Sequence, residues 1–314
     1  MQDSINQQDA AAQLVRELIQ EKRSERRWKN FRFLVGVVLI ALCAYFLFAS
    51  NNAAVVSDDG DKGYVALVRL NGTIGPGEEF SAETVLPLLK AAFSDKEAKG
   101  VVLDINSGGG TPVQASIIHD AVLELKNKYH KKVIVVGEDM MASGAYFVAV
   151  SADKIYVNPN TLTGSIGVIM KEFGFPELIK KIGVERRVYT SGLNKDRLDP
   201  FLPQNQQDMT KIRQVISEIH GNFKQAVEQG RHGKLNGAPD DLYSGDFWSG
   251  AMAMKLGLVD ELGNLSDVMH KEFKVTAYKD YSHEQSLVKS LIGQVGASLD
   301  LGLQHDRIGV VEQI

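Results

Sequence analysis

Hydrophobic and polar positions divide the chain into stretches of different character. Residues 1–29 are polar and helix-prone, and they end in a basic cluster. Residues 33–49 form an uncharged apolar run, which is just long enough to cross a bilayer core as a helix. Residues 51–62 are polar again, and the sequence from Tyr64 onward alternates short apolar runs with longer helix-like ones. This pattern predicts an apolar anchor followed by a folded domain.

The alternation beyond residue 63 predicts strands and helices in turn. Strands are predicted over 64–70, 100–105, 133–136, 154–157 and 187–190, and helices over 81–93, 111–129, 205–229 and 246–256. The residues after Phe273 are weakly patterned. Because strands that alternate with helices form βαβ units, the sequence predicts an α/β domain with a mostly parallel sheet.

Charged residues are unevenly distributed around the apolar run. Lysines and arginines precede it, whereas the next basic residue after it is Lys62, which follows three aspartates. The positive-inside rule therefore places the N-terminus in the cytoplasm and the remaining chain outside it. We expect a cytoplasmic segment over 1–29, a transmembrane anchor over 30–50 and a linker over 51–62.

Three other interpretations of the apolar run fit less well. A cleaved signal peptide would have a shorter polar segment and a shorter apolar core. A lipoprotein signal would need a small residue before Cys43, where this chain has Leu42. A buried core helix would not explain the one-sided charge.

Composition argues against several classes of function. The net charge of -4 leaves no electrostatic footprint for nucleic acid. The single cysteine, Cys43, excludes an internal disulfide and a cysteine metal cluster. The seven histidines form no HxxxH or HExxH pair, and no Walker or dinucleotide-binding glycine motif is present. We therefore expect no metal and no cofactor.

One serine stands between a predicted strand and a helix-like run. Ser143 is flanked by Ala142 and Gly144, and such small neighbours let a substrate backbone approach a hydroxyl closely. An oxyanion is also favoured at the start of a helix. Ser143 is thus a candidate nucleophile, although a helix N-cap would explain the same serine.

A glycine-rich turn follows the predicted strand over 100–105. Its sequence, Asn106-Ser107-Gly108-Gly109-Gly110, exposes backbone N–H groups where a helix is predicted to begin. Such groups suit a phosphate, or an oxyanion hole beside a nucleophile. A flexible turn without a function is an equally good interpretation of this motif alone.

A serine nucleophile needs a base. His119 lies on the predicted helix after the glycine turn, at a spacing typical of an ordinary surface or core position. A buried lysine can serve instead, because desolvation favours its neutral form, and Lys195 is the candidate. Most loop lysines are solvated surface charges, and Asp196 could pair with Lys195 and so oppose a role as base.

Four segments, in this order along the chain, resemble motifs of the signal peptide peptidase A family, in its short, single-domain form. This family comprises membrane-anchored serine–lysine peptidases of bacteria. The segments are Met141–Tyr146, Leu162–Val168, Ser191–Asp196 and Tyr243–Gly263. The resemblance extends from Tyr64 to Gly263, and the joint occurrence of the motifs is far more specific than any one of them.

The resemblance implies a role for each candidate residue. Ser143 would be the nucleophile, Lys195 the general base and Ser165 the hydroxyl that orients the lysine amine. The N–H of Gly110, together with that of Gly109, would form the oxyanion hole.

The resemblance also implies a fold and an assembly. The fold would be the Clp protease/crotonase-like fold of repeated ββα units, with a peptidase domain over 63–275 and a C-terminal tail over 276–314. Neighbouring protomers of a homo-oligomeric ring would contribute the serine and the lysine. The ring would sit on the outer face of the bacterial inner membrane. It would degrade signal peptides or other unfolded chains. Where the family usually has a proline, this chain has Gly108, which should loosen the glycine turn.

Three other functions remain open from the sequence. The chain could be a regulatory or quality-control protease for other membrane-associated proteins, which would need the same dyad. It could be a crotonase-like acyl-CoA enzyme, although the set of Ser143, Ser165 and Lys195 and the external topology argue against that. It could also be a non-catalytic ring scaffold, which would tolerate loss of Ser143 or Lys195.

Overall fold

The computed structural model describes residues 32–39 and 63–282 of the 314. The chain divides into two units, 1–54 and 55–314, and each is described by itself. In the first unit, 32–39 form a helix, α1, whose side chains, including Phe33 and Leu34, are largely exposed. Within the two described ranges, no helix has the length and hydropathy needed to cross a membrane. The predicted segments 1–29 and 51–62, most of the anchor over 30–50, and 283–314 of the tail lie outside the described residues.

The second unit is a mixed α/β domain with eight strands in its described part. The strands are β1 Tyr64–Asn71, β2 Ala98–Ser107, β3 Val133–Ala142, β4 Lys154–Val157, β5 Leu162–Gly164, β6 Phe247–Ser249, β7 Glu261–Leu262 and β8 Ala277–Asp280. The helices are α2 Ala82–Ser94, α3 Pro112–Tyr129, α4 Gly144–Ala149, α5 Pro176–Lys181, α6 Gln206–Gly230, α7 Pro239–Leu242, α8 Gly250–Lys255 and α9 Leu265–Val268, and a π-helical turn, Met269–Phe273, follows α9.

The strands form one sheet in the order β6-β5-β3-β2-β1-β8, with β4 beside β3 and β7 beside β4. Every pair is parallel except β5 and β6. The prediction of an α/β domain with a mostly parallel sheet is therefore confirmed.

Both faces of the sheet are covered, which explains why its strands have nearly continuous apolar sequences. In β1, Ala66, Val68 and Leu70 face a large core that also takes side chains from α2, α3, α4 and α6. Val65 and Leu67 of the same strand face a smaller core, which is closed by α9 and the π-helical turn.

The long helices begin where the sequence predicts. The Ser81 side chain accepts a hydrogen bond from the Thr84 N–H at the start of α2, and Pro112 occupies the first turn of α3. Asn205 caps α6 in the same way by accepting from the Asp208 N–H. These boundaries are confirmed, and each has a local cause in the sequence: a side-chain cap for α2 and α6, and a proline in the first turn for α3.

Two predicted elements are wrong. Residues 187–190 form no strand, because a strand needs a ladder partner and no described segment pairs with these exposed residues. The helix predicted over 246–256 is a short strand, β6, followed by α8. Residues 247–249 pair with β5, and the Ser249 side chain then caps α8 by accepting from the Met252 N–H. The weakly patterned tail contributes β8, which pairs with β1.

Strand β3 changes its neighbour part way along its length. Its first half pairs with β4 and its last three residues pair with β5. Between these halves the register against β2 shifts: Ile105 is opposite Gly137, but Ser107 is opposite Met141. Residues 138–140 therefore form a bulge opposite Asn106. The bulge directs the end of β3 toward the glycine turn and β5.

Candidate functional site

Ser143 lies on a sharp turn between β3 and α4. Its backbone has φ 53° and ψ −124°, a conformation that costs a residue with a side chain about 1–3 kcal/mol. The Ser143 N–H donates to the Gly164 carbonyl at 2.9 Å, and the Ser143 carbonyl accepts from the Phe147 N–H at 3.0 Å. The half-buried side chain makes no capping hydrogen bond to α4, so helix capping does not account for this hydroxyl.

The glycine turn lies directly against Ser143. A Cβ on Gly109, whose φ is +94°, would be 2.8 Å from the Ser143 Cβ and 2.6 Å from the Gly144 nitrogen. A Cβ on Gly110 would come within 2.0 Å of the Ile74 carbonyl oxygen. Only glycine fits at either position. The structure thus brings together three of the residues that the sequence singled out.

Two backbone N–H groups next to Ser143 are suited to stabilise an oxyanion. The Gly109 N–H donates to the Ser107 Oγ at 3.1 Å, and is therefore occupied. In the described part of the chain, the N–H groups of Gly110 and Gly144 donate no hydrogen bond to another residue. A Cβ on Gly144 would be 3.2 Å from the Gly110 nitrogen, so these two residues are neighbours. Such a pair beside a nucleophile can stabilise the negative charge of a tetrahedral intermediate.

Sequence reasoning missed Gly144 as a donor. The signal was present, because the first N–H groups of a helix have no acceptor within that helix. Gly144 is the first residue of α4 and follows the candidate nucleophile directly.

Ser165 lies at the end of the strand next to β3. Gly164 of β5 is paired with Ala142, so Ser165 and Ser143 each follow one member of that pair. Ser165 also has a positive φ, 53°, and its N–H donates to the Asp246 carbonyl at 2.7 Å. Its Oγ donates a long hydrogen bond, 3.4 Å, to the Gly245 carbonyl. The hydroxyl is half-buried, and this weak interaction leaves it available to a better partner.

Lys195 lies on an exposed loop between α5 and α6. Its backbone N–H donates to the Gly192 carbonyl at 3.1 Å, but its side chain is exposed. Within residues 63–282, no hydrogen bond or ion pair joins the Lys195 amine to Ser143, Ser165 or Asp196. The loop's own apolar side chains do not enclose the amine, since Leu193 is 98% exposed. The single chain therefore does not assemble the predicted dyad.

The lysine loop is attached to the start of α6. Arg197 Nε and Asp208 Oδ1 are 2.6 Å apart and form an ion pair between the loop and the helix. A cavity lies beside this contact, and Phe173, Leu198 and Met209 are among its lining residues. None of the candidate catalytic residues lines this cavity, so it gives no evidence about substrate binding.

His119 is part of the core between α3 and α4. Its side chain is buried, its ring meets Phe147 edge-on with centroids 5.1 Å apart, and its Nδ1 is 2.8 Å from the Asp120 carboxylate. No hydrogen bond links it to Ser143 in the described residues. Those residues also contain no group of three side chains suited to bind a metal ion.

A family model and two of three relatives agree with the peptidase motifs. The family model described as Peptidase family S49 matches residues 125–279. A Brucella abortus protein named Na(+)/H(+) antiporter NhaA is 44% identical over 214 residues, which are 67% of this chain and 29% of that protein. A putative signal peptide peptidase SppA of Enterococcus faecium is 31% identical over 202 residues, which are 63% of this chain and 58% of that protein. The putative protease slr0021 of Synechocystis is 31% identical over 206 residues, which are 65% of this chain and 71% of that protein.

Among solved structures, a mutant of ClpP1 from Listeria monocytogenes has a TM-score of 0.41 and 19% sequence identity. The superposition covers 64% of this chain and 92% of that one. The chain spans 29% of the Brucella relative and 58% of the Enterococcus relative, so large parts of both proteins have no counterpart in the match.

Proposed function

Because the chain belongs to peptidase family S49, we propose that it is a membrane-anchored serine endopeptidase that degrades cleaved signal peptides with a Ser143–Lys195 dyad. The observation that carries this proposal is the geometry around Ser143. A strained turn presents the hydroxyl beside the N–H groups of Gly110 and Gly144, and this arrangement suits acyl transfer.

In the proposed mechanism, the neutral Lys195 amine takes the proton of the Ser143 hydroxyl as its oxygen attacks the peptide carbonyl carbon. The N–H groups of Gly110 and Gly144 stabilise the resulting oxyanion. Lys195 then returns the proton to the departing amine, which leaves an acyl-enzyme. Water hydrolyses this ester, with Lys195 accepting the proton of the water and passing it back to Ser143. Ser165 orients the lysine amine.

We assign Lys195 to a neighbouring protomer of a homo-oligomeric ring. Two features support this part of the proposal. Lys195 is exposed and makes no side-chain contact with Ser143 in its own chain. The segment that carries it also exposes large apolar side chains, among them Ile169, Phe173 and Tyr189, with exposed fractions of 74%, 78% and 91%. Exposed apolar surface of this kind is typical of a protein–protein interface. The fold is, by the same proposal, that of the Clp proteases and crotonases.

The proposed location is the bacterial inner membrane, with a single span, a cytoplasmic N-terminus and an extracytoplasmic catalytic domain. Its support is the apolar run over 33–49 with basic residues on one side only. The signal-peptide substrate is supported by this location and by the name of the Enterococcus relative.

Mixing two inactive variants tests the proposal. Ser143→Ala supplies an intact lysine and Lys195→Ala supplies an intact serine. If the dyad forms between protomers, mixed assemblies regain activity on a fluorogenic peptide and on a synthetic signal peptide, whereas each variant alone stays inactive. Assembly of every sample is checked by size-exclusion chromatography with light scattering.

The outcomes separate the alternatives. No recovery in properly mixed assemblies would place the dyad within one chain. Full activity of Ser143→Ala alone would refute the serine mechanism. Cleavage of folded or membrane-associated proteins in preference to signal peptides would instead support a regulatory or quality-control protease.

A further inference from the structure

The bulge of β3 is held by hydrogen bonds from two neighbouring elements. The Met140 N–H donates to the Asn106 Oδ1 at 3.2 Å, and the Thr161 Oγ1 donates to the Glu138 carbonyl at 2.6 Å. The bulge ends three residues before Ser143 and directs β3 toward β5 and the glycine turn. Any further contact to residues 138–140 therefore bears on the position of Ser143.

One such contact joins two carboxyl groups. Asp104 of β2 is only 2% exposed, and its Oδ2 is 2.6 Å from the Arg69 Nη1. Its other oxygen, Oδ1, is buried and has no hydrogen-bond partner among the described residues when both carboxyls are ionised. Asp104 is paired with Val136 of β3, so the exposed Glu138, two residues farther along β3, lies diagonally opposite it on the same side of the sheet. Its carboxyl acts on Asp104 through its charge and as a hydrogen-bond partner. A buried acceptor without a donor is costly, and a single proton between the two carboxyls removes that cost.

We propose that Asp104 and Glu138 share one proton, and that this hydrogen bond fixes the β3 bulge and thereby positions Ser143. Asp104 and Glu138 are positioning residues, since neither touches the reacting atoms. The claim that the bond serves catalysis rests on the proposed function, whereas the shared proton itself does not.

The charges around Asp104 favour this state at neutral pH and below. Arg69 of β1 faces Asp104 from one side and also pairs with Asp280 of β8, so its charge is divided. Burial and the negative charge of Glu138 raise the pKa of Asp104 to about 7, although Arg69 lowers it and Asp280 adds to the rise. Tyr278 of β8 is the other titratable group near Arg69.

Raising the pH should weaken the contact between Asp104 and Glu138. Below the raised pKa, Asp104 keeps its proton and the two carboxyls attract each other. Above it, both carboxyls are ionised and repel each other, which loosens the bulge. The turnover number should therefore fall on the alkaline side, in addition to any rise that accompanies deprotonation of the lysine base.

Two measurements on the full chain in detergent test whether Asp104 and Glu138 share a proton, and neither measurement depends on peptidase activity. The first is the infrared band of a protonated carboxyl group at pH 6. We expect it to disappear by pH 9 and to be absent at pH 6 in Asp104→Asn. Asp280→Asn is the matched control, because it removes a carboxyl on the other side of Arg69 without touching the bulge. Since Asp280 adds to the rise of the Asp104 pKa, this variant should keep the band but lose it at a lower pH than wild type.

The second measurement is amide hydrogen exchange of the peptide covering 138–145, corrected for the intrinsic effect of pH. Wild type should be protected at pH 6 and lose protection at pH 9. Glu138→Gln should stay protected at both values, because its amide can donate to the Asp104 carboxylate. Glu138→Ala should be unprotected at both, and since Glu138 is exposed, neither variant threatens folding.

Persistence of the infrared band in Asp104→Asn would overturn the shared proton. Protection of 138–145 that does not differ between pH 6 and pH 9 in wild type would overturn its role in the bulge. In the peptidase assay, Asp104→Asn should lose the alkaline decline while keeping the rise at lower pH. If neither wild type nor any variant has peptidase activity but both physical measurements give the expected results, the proposed function fails and the shared proton between Asp104 and Glu138 stands.

Discussion

At the scale of single residues, two serines have backbone conformations that residues with side chains rarely adopt. Ser143 and Ser165 both have a φ of 53°, and each N–H is fixed by a carbonyl on a neighbouring segment, Gly164 for the first and Asp246 for the second. Strain of this kind persists only where surrounding contacts enforce it, and it is concentrated at functional sites. It is a second reason, independent of sequence motifs, to connect these two serines with function.

Gly108 and Gly109 should respond in opposite ways to alanine. Gly108 has no positive φ, and within 4 Å a Cβ there would meet only the Met140 Sδ, at 3.0 Å, so this flexible side chain would have to shift slightly. We expect Gly108→Ala to stabilise the protein by about 0.4–1 kcal/mol, because it restricts the unfolded chain. Gly109→Ala places a Cβ against the Gly144 nitrogen. It should destabilise the protein by more than Gly108→Ala stabilises it, and it should abolish activity. Urea unfolding and the peptidase rate of the pair provide the test, and equal effects of the two substitutions would contradict it.

Lys195→Arg should be as inactive as Lys195→Ala. Arginine keeps the positive charge and a similar reach, but its guanidinium stays protonated and cannot accept the Ser143 proton. Ser165→Ala should reduce the rate less than the loss of either dyad residue. The measurement is the peptidase rate of purified variants with confirmed assembly. Near-normal turnover by Lys195→Arg would exclude Lys195 as the base.

The sequence indicates which residues are candidates for the site better than it indicates which residues they contact. Ser143 follows one predicted strand, and Gly109 and Gly110 follow another. Because these two strands are parallel neighbours in the sheet, their C-terminal ends meet at the same edge. Lys195 lies on a loop without regular structure, so neither its surroundings nor its partner follows from local pattern. Gly144 was not singled out as a candidate donor, because the sequence pattern marks it only as a small neighbour of Ser143.

At the scale of elements, α4 is attached to the C-terminal part of the domain by buried polar groups. The Tyr146 hydroxyl donates to the Leu258 carbonyl at 2.7 Å, and both Nε and Nη2 of Arg231 donate to the Gly257 carbonyl. Arg231 is 2% exposed and also pairs with Asp260 at 2.6 Å. The segment after α8 is thus fixed to α4 and to the C-terminal end of α6.

Arg231→Ala should destabilise the domain strongly. It leaves Asp260 and the Gly257 carbonyl without their buried donors, and breaking a buried ion pair in this way typically costs about 3–5 kcal/mol. Lys234→Ala is the matched control, because Lys234 pairs with the same Asp260 at 2.7 Å from a partly exposed position. Its loss should cost about 1 kcal/mol or less. Chemical unfolding of both variants tests this, and equal losses would show that Arg231 has no special role.

The same cluster should make stability sensitive to acid. Burial opposes ionisation of Asp260, but hydrogen bonds from Arg231 and Lys234 outweigh it and lower the pKa of this carboxyl below its ordinary value of 3.8. The unfolded chain binds this proton at a higher pH than the folded one, so the stabilisation is present above pH 3.8 and is lost as pH falls through the folded pKa. Unfolding free energies of wild type and Asp260→Asn, measured from pH 7 downward, should converge. A constant difference would contradict the prediction.

Element boundaries show where local pattern fails. The sequence predicts a strand over 133–136, where the residues are apolar. The observed strand, β3, is longer and continues through polar residues to Ala142. Those residues stay in the sheet because Asn106, Thr161 and β5 bind them, and none of these partners is near in sequence. The helix predicted over 246–256 failed for the same reason, since its first residues pair with β5.

At the scale of the whole molecule, the order of the motifs along the chain identified the family. The pattern of apolar and polar residues, in contrast, does not indicate how protomers would assemble. The described chain leaves Lys195 exposed and Leu193 almost fully exposed, although a lysine base requires an apolar enclosure. An enclosure that comes from another protomer has no signature in the local pattern of one chain. The surroundings of Ser143 therefore follow from the sequence more fully than those of Lys195.

The topology of the full chain is open to a direct test. The basic cluster before Phe33 favours retention of the N-terminal segment in the cytoplasm, because positively charged flanks are translocated poorly. The stretch after Ala49 carries aspartates and has no lysine until Lys62, so nothing opposes its export. Protease added to intact spheroplasts should therefore digest the chain from Gly63 onward and spare an epitope placed before residue 29. Lysed spheroplasts, in which this epitope should be lost as well, are the control. Protection of the catalytic domain in intact spheroplasts would place it in the cytoplasm, where it would not meet exported substrates.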